Sequence, residues 1–326
     1  MSNGAESQNL DPGYPLGGPG QAVVHVGPQL KPRIVSVPTR HSVHEIDLPE
    51  GTDLVESIAG LLGSLGAEGL MVEFLAGEFG HISFVHPAYG PDAEHPMSFT
   101  SEFESPGPAR LRHASATVGF KDGGPFSHIH ASWDEEDGRI RGGHLLPGTL
   151  AGPTGLRLRV FALHDARLLS DHDPETGFSA FAPAPRATDG DSPNVDAAEV
   201  DAADASSDGG AADLPREFDA VISRVRPGEI LDEAVVCVCR DARFDSAEVR
   251  ASLGSTTGAV FTDGTAPWPA VEFTHLKGTV SGAMSDDPSV QLEGEVADVA
   301  GEIRSGQLAA GANPVAVTFE LLVRRV

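Results

Sequence analysis

Two segments of this chain repeat each other without a gap. Pro125 to Gly148 reads PFSHIHASWDEEDGRIRGGHLLPG, and Pro288 to Gly311 reads PSVQLEGEVADVAGEIRSGQLAAG. The likeness continues upstream in the same order. A helical stretch, LVESIAGLLGSL, precedes Leu75-Ala76-Gly77-Glu78-Phe79-Gly80 and a strand, HISFV. Leu253-Gly254-Ser255-Thr256-Thr257-Gly258 and AVF stand in the corresponding place. LRHASATVG is then matched by VEFTHLKGTVSG. Ordered self-similarity of this kind marks a duplicated unit, so the chain is constrained to build one fold twice.

The length, 326 residues, leaves room for two units that each bury a core. Residues 1–30 are rich in Gly and Pro and read as a disordered tail. From Thr188 to Asp213 there are eight acids, no base and no aromatic residue. Such a segment cannot bury enough apolar surface to offset its ordering entropy. The expected organisation is a first unit over 31–186, an acidic disordered linker over 187–214 and a second unit over 215–326.

Composition excludes several classes. No 18-residue apolar run exists, so no membrane span is expected. MSNGAESQNL lacks the layout of a signal peptide. The two cysteines, Cys237 and Cys239, lie in VVCVC and read as buried thiols sharing one face of a strand, in a reducing, cytoplasmic protein. The formal net charge is -26, and Lys31, Lys121 and Lys277 are the only lysines. Without a basic stripe, direct nucleic-acid binding is not expected. No GxSxG, HExxH or GxGxxG in proper context occurs, which removes the common hydrolase, zincin and dinucleotide readings.

The chemistry concentrates in the first of the repeated segments. His128 and His130 stand two apart, so on a strand they point to the same face. Asp134-Glu135-Glu136-Asp137-Gly138 reads as a hairpin turn, which brings His144 roughly opposite His128. Three imidazoles then share a face, the number of protein ligands a catalytic zinc often has. An open metal site, a cluster of acid/base groups and a hydrogen-bonded polar patch all fit that spacing. The second segment carries Gln291, Glu293 and Gln307 at these positions. The first also carries an insertion, HPAYGPDAEHPMSFTSEFESPGP, with His86, Tyr89 and His95, which reads as a lid over the histidines. His113 and His275 lie on the strands that precede the two hairpins. In Asp171-His172-Asp173-Pro174-Glu175, Asp-Pro turn chemistry is sufficient explanation.

These residues carry a family resemblance. The HxH…GGH hairpin resembles the signature of the PPC domain (plants and prokaryotes conserved, also called PCC). Arg226-Pro227-Gly228-Glu229, the Leu253-Gly254-Ser255 step and VEFTHLKG at 271–278 resemble other segments of the same domain. The resemblance covers roughly residues 33–170 and 218–326. It implies a tandem PPC protein of the α/β class (α+β type), each unit a mostly antiparallel sheet with few helices, self-associating as a homotrimer. It also implies that His128, His130 and His144 match the metal site of prokaryotic members, with a divalent ion, zinc, as cofactor. His113, Arg226, Glu229 and His275 are candidate pocket residues. In plants the domain follows AT-hook motifs, but no GRP core flanked by Arg and Lys appears here. The expectation is a metal-binding protein that binds or acts on a small polar or anionic metabolite. The alternative is a non-enzymatic scaffold or transcription-associated protein without direct DNA contact.

Overall fold

The computed structural model describes residues 18–92, 94–186, 218–266 and 270–326. The expected linker and the first part of the expected tail lie outside the described residues. Along the chain run β1 (Ile34–Thr39), β2 (His41–Leu48), α1 (Leu54–Leu65), β3 (Leu70–Phe79), β4 (Ile82–Val85), β5 (Pro87–Tyr89) and β6 (Met97–Phe99). They continue with β7 (Phe103–Ser105), β8 (Ala109–Lys121), β9 (Gly124–Asp134), β10 (Ile140–Leu145), β11 (Ala151–Leu163), β12 (Ala166–His172) and β13 (Ser179–Pro185). The second half has β14 (Ala220–Val225), α2 (Leu231–Asp241), β15 (Ala247–Thr256), β16 (Ala259–Phe261) and β17 (Gly264–Ala266). It ends with β18 (Val271–Ser281), β19 (Ser289–Ala297), β20 (Ile303–Gln307) and β21 (Val315–Arg325). The fold is mostly antiparallel sheet with two helices among the described residues.

The two sheets repeat one strand order. The first runs β2-β11-β3-β8-β9-β10 and then β4-β7; the second runs β14-β21-β15-β18-β19-β20, with β1 on its outer edge. Even an irregularity recurs. The β8–β9 register shifts between Leu111 and His113, and the β18–β19 register shifts between Phe273 and His275. A bulge of this kind re-aims the residues beside it.

Period-2 alternation separates the faces of each sheet. Leu70, Val72 and Phe74 of β3 pack with Leu54, Ile58 and Leu62 of α1. The intervening Met71 points the other way, into a core shared with Ile222, Leu253 and Leu322 of the second sheet. On β21, Phe319, Leu321 and Val323 face the α2 side while Leu322 faces the shared core. The layers therefore stack as helix, sheet, sheet, helix, and the buried interface between the sheets fixes how the two units meet.

Local chemistry sets the helices. Asp53 caps α1, its carboxylate accepting from the Glu56 N–H at 3.0 Å, and Gly66 ends it in the left-handed region with φ 61°. In α2, Leu231, Ala234, Val235, Val238 and Cys239 are buried, the spacing of one helical stripe. This corrects the reading of VVCVC as a strand: over five residues an apolar run does not separate period 2 from period 3.6. Cys237 and Cys239 consequently do not share a face; Cys237 is exposed and Cys239 buried.

Two boundaries differ from expectation. β1, expected in the first unit, pairs antiparallel with β14 as an edge strand of the second sheet, Ile34 opposite Val225 and Thr39 opposite Ala220. Residues 18–30, expected within the disordered tail, lie against the second unit. There the Gly20 N–H donates to the Thr257 carbonyl at 3.0 Å, His25 Nε2 lies 2.7 Å from the Ala316 carbonyl, and Val23 is buried.

Candidate metal centre

The hairpin that carries the histidines is held by turns at both ends. Asp122 and Gly123, with φ 50° and 78°, form the two-residue link between β8 and β9. At the other end Glu135 and Arg139 pair across a loop in which Gly138 has φ 83°. This closure sets His144 opposite His130, with His128 one pleat further along the same face. The expectation had placed His144 nearer His128. Gly142 and Gly143 precede His144 where neighbours come close: a Cβ on Gly143 would meet the Val85 carbonyl at 2.4 Å, and one on Gly142 the Ile303 side chain at 2.5 Å.

The three imidazoles converge. One ring nitrogen from each of His128, His130 and His144 lies within 4.8 Å of the others. Ring centroids are 4.5 Å apart for His128 and His130, 4.8 Å for His128 and His144, and 5.3 Å for His130 and His144. The Nε2 atoms of His128 and His130 face each other at 2.9 Å. His130 Nδ1 lies 3.1 Å from the Phe273 carbonyl. That contact fixes the tautomer: Nδ1 donates to the carbonyl and leaves Nε2 as a lone-pair donor toward the cluster. Burial, then the neighbouring rings, push His130 well below the usual imidazole range; burial and the charges of His128 and Lys121 do the same to His144. Both imidazoles are therefore neutral near pH 7.

The second unit completes the site. Glu272 on β18 puts Oε1 3.4 Å from His130 Nε2 and 3.9 Å from His144 Nδ1. Glu320 on β21 puts Oε2 3.6 Å from His128 Nδ1 and receives the Thr318 hydroxyl on Oε1 at 3.2 Å. Burial pushes the Glu272 carboxyl up to about 8, so it and His130 face each other as neutral groups. His144 Nδ1 and the Oε2 atoms of Glu272 and Glu320 are buried without a hydrogen-bond partner. Buried polar atoms are rarely left so. Neutral imidazoles with adjacent carboxylates are a donor set suited to a divalent transition ion. The residues present fit one.

The other expected site residues lie elsewhere. His113 and His275 stack on each other at the boundary between the sheets. Arg226 pairs with Asp173 at 3.2 Å, and Glu229 with Arg33 at 3.1 Å. Neither lines the histidine cavity. Asp173, read as a plain turn residue, is buried and receives both Arg224 and Arg226. From the insertion, Met97, Ser98 and Phe99 line the cavity, and the Phe99 ring centroid is 5.4 Å from that of His144. His86 instead packs between Phe84, Phe103 and Gly301, and His95 is an exposed partner of Asp92. In the second unit, Glu293 lies opposite Gln307 as His130 lies opposite His144. Gln291, Glu293 and Gln307 are exposed and line a separate open cavity with Lys277.

Sequence reasoning missed Glu272 and Glu320 as site residues. Each is an acid inside an apolar strand, Val271-Glu272-Phe273 and Phe319-Glu320-Leu321. A charged side chain in a buried strand is costly unless it has a purpose or partner, and that was the readable signal.

Comparison with known proteins agrees on the first unit. The model of the Plants and Prokaryotes Conserved (PCC) domain matches residues 36–161. No curated protein matches. Among solved structures, a metal-containing protein from Archaeoglobus fulgidus is 23% identical, with 44% of this chain and 94% of that chain covered and a TM-score of 0.35. A PPC protein from Pyrococcus horikoshii is 18% identical, with 46% and 96% covered and a TM-score of 0.35. A protein from Ralstonia eutropha JMP134, whose name proposes DNA binding, is 19% identical, with 47% and 97% covered and a TM-score of 0.36.

Proposed function

We propose that this chain is a tandem of two PPC-type units that binds a divalent metal ion, zinc, through His128, His130 and His144. The bound ion serves to capture a small molecule in the cavity between the units. The observation that carries this reading is the convergence of three ring nitrogens within 4.8 Å, with unpartnered carboxylate oxygens beside them. A divalent ion there supplies a Lewis acid toward an oxygen donor of the ligand.

The chain's own residues would supply the rest. The Phe273 carbonyl orients His130. Glu272, protonated near neutrality in the metal-free site, can donate a hydrogen bond to a ligand or, once a cation is close, give up its proton and add a carboxylate. Phe99 sets an aromatic ring edge-on beside His144, centroids 5.4 Å apart, for a ligand's apolar part to meet. The second unit, with Gln291, Glu293 and Gln307 in place of the histidines, contributes Glu272 and Glu320 to the site in the first rather than a metal site of its own.

Metal analysis of protein purified without a histidine tag tests this reading. One zinc per chain is expected. A protein that stays metal-free after incubation with Zn²⁺ contradicts it.

A further inference from the structure

The cavity around the histidines is larger than an ion needs. Its volume is about 300 Å³, whereas a water molecule takes up about 30 Å³ of liquid. Most of the wall is apolar: Met97, Phe99, Phe126, Phe178, Phe181 and Val317 contribute to it. Phe126 and Phe181 stack at 5.7 Å, and Phe99 meets Phe178 edge-on at 6.2 Å. Such a surface suits an organic body, not a small polar metabolite.

The same wall includes one lysine. Lys121 ends β8, held opposite Gly124 by the Asp122-Gly123 turn, and its Nζ sits 5.2 Å from the centre of the Phe126 ring. Lys277 is salt-bridged to Glu293 at 3.3 Å, whereas Lys121 makes no ion pair among the described residues. In a chain of net charge -26, a cation beside a cavity without a carboxylate partner leaves an anion-binding position open.

We infer that the cavity binds an amphipathic organic carboxylate. Its carboxylate meets Lys121, its apolar body lies along Phe126, Phe181, Phe178 and Phe99, and its far end reaches the three histidines. This rests on the cavity being the ligand site, and it names the ligand class: an aryl- or alkyl-substituted acid rather than a small hydrophilic one.

The probes are 4-phenylbutyrate and its neutral counterpart 4-phenylbutyramide, titrated calorimetrically into metal-free and zinc-loaded full-length protein. The carboxylate should bind both forms, at least tenfold more tightly than the amide. Lys121→Met should bring it to the level of the amide while leaving amide binding unchanged. Lys121→Arg should retain carboxylate binding, and Phe126→Ala should weaken both probes. Equal affinities for the two probes, an unaffected Lys121→Met protein, or no binding of either probe would overturn the inference. So would carboxylate binding confined to the zinc-loaded form, because the anion would then sit on the metal. A chain that takes no zinc but still prefers the carboxylate through Lys121 would refute the metal reading alone.

Discussion

His113 and His275 occupy the same register position in the two units and stack on each other across the boundary between the sheets. Their ring centroids are 4.7 Å apart and their planes 20° apart. Each follows the shared bulge and lies opposite a matching residue of the next strand, Ser132 for His113 and Glu295 for His275. Those two partners also meet, the Ser132 hydroxyl donating to the Glu295 carboxylate. Repeated positions thus form the contact that docks one unit on the other and carries Glu272 to the triad.

This contact makes the interface acid-sensitive. Burial, then the facing His113 and Lys277, lower His275 from 6.5 to about 4, against the opposing pull of Glu73 and Glu295. The folded state therefore takes up this proton later than the unfolded state. Stability is present above pH 6.5 and falls as pH drops from about 6.5 to about 4, by at most about 3 kcal/mol at 1.36 kcal/mol per unit. Denaturant melts at pH 7 and pH 4.5 should show that loss, and His275→Phe should flatten the slope over this window.

Glu272→Gln keeps the shape of the side chain and removes the ionisable oxygen. Zn²⁺ affinity should fall by about 10- to 100-fold, as for groups that support metal ligands, with the melting temperature of the metal-free protein unchanged or raised. Unchanged zinc affinity would show that Glu272 only fills space.

Thiol labelling separates the cysteines. Cys237 is exposed, while burial pushes the Cys239 thiol up to about 12. The native protein should titrate one thiol readily and the second only in denaturant. Two fast thiols would contradict the placement of α2.

Duplex DNA should not bind appreciably at about 150 mM salt, where the Debye length is about 8 Å. The chain carries 48 acids against 22 bases, and arginines such as Arg157, Arg159 and Arg139 are paired with Asp47, Glu45 and Asp137. Submicromolar, salt-sensitive binding in an anisotropy titration would restore a transcription-associated reading.

What the sequence could reveal followed the range of the forces involved. The α1 helix was legible because Asp53 and Gly66 cap it and its apolar stripe spans three turns. The histidine face was legible because period 2 and a Gly-ended turn act over a few residues. The register was less so: pairing of Glu135 with Arg139 decides it, and the acidic run alone does not say where the loop closes. Glu272 and Glu320 reach the cavity only once the sheets dock through Met71, Ile222 and Leu322, and no local pattern encodes that contact. The same holds for β1, whose sequence fits an edge strand of either sheet.

Calorimetric titration of metal-free, untagged protein with Zn²⁺ tests the three-histidine site most directly. The expected result is one equivalent per chain at submicromolar affinity, weakened at least about 100-fold by His130→Ala, with Glu293→Ala in the second unit without effect. Binding that is absent, or that His130→Ala leaves intact, would contradict a metal centre built from His128, His130 and His144.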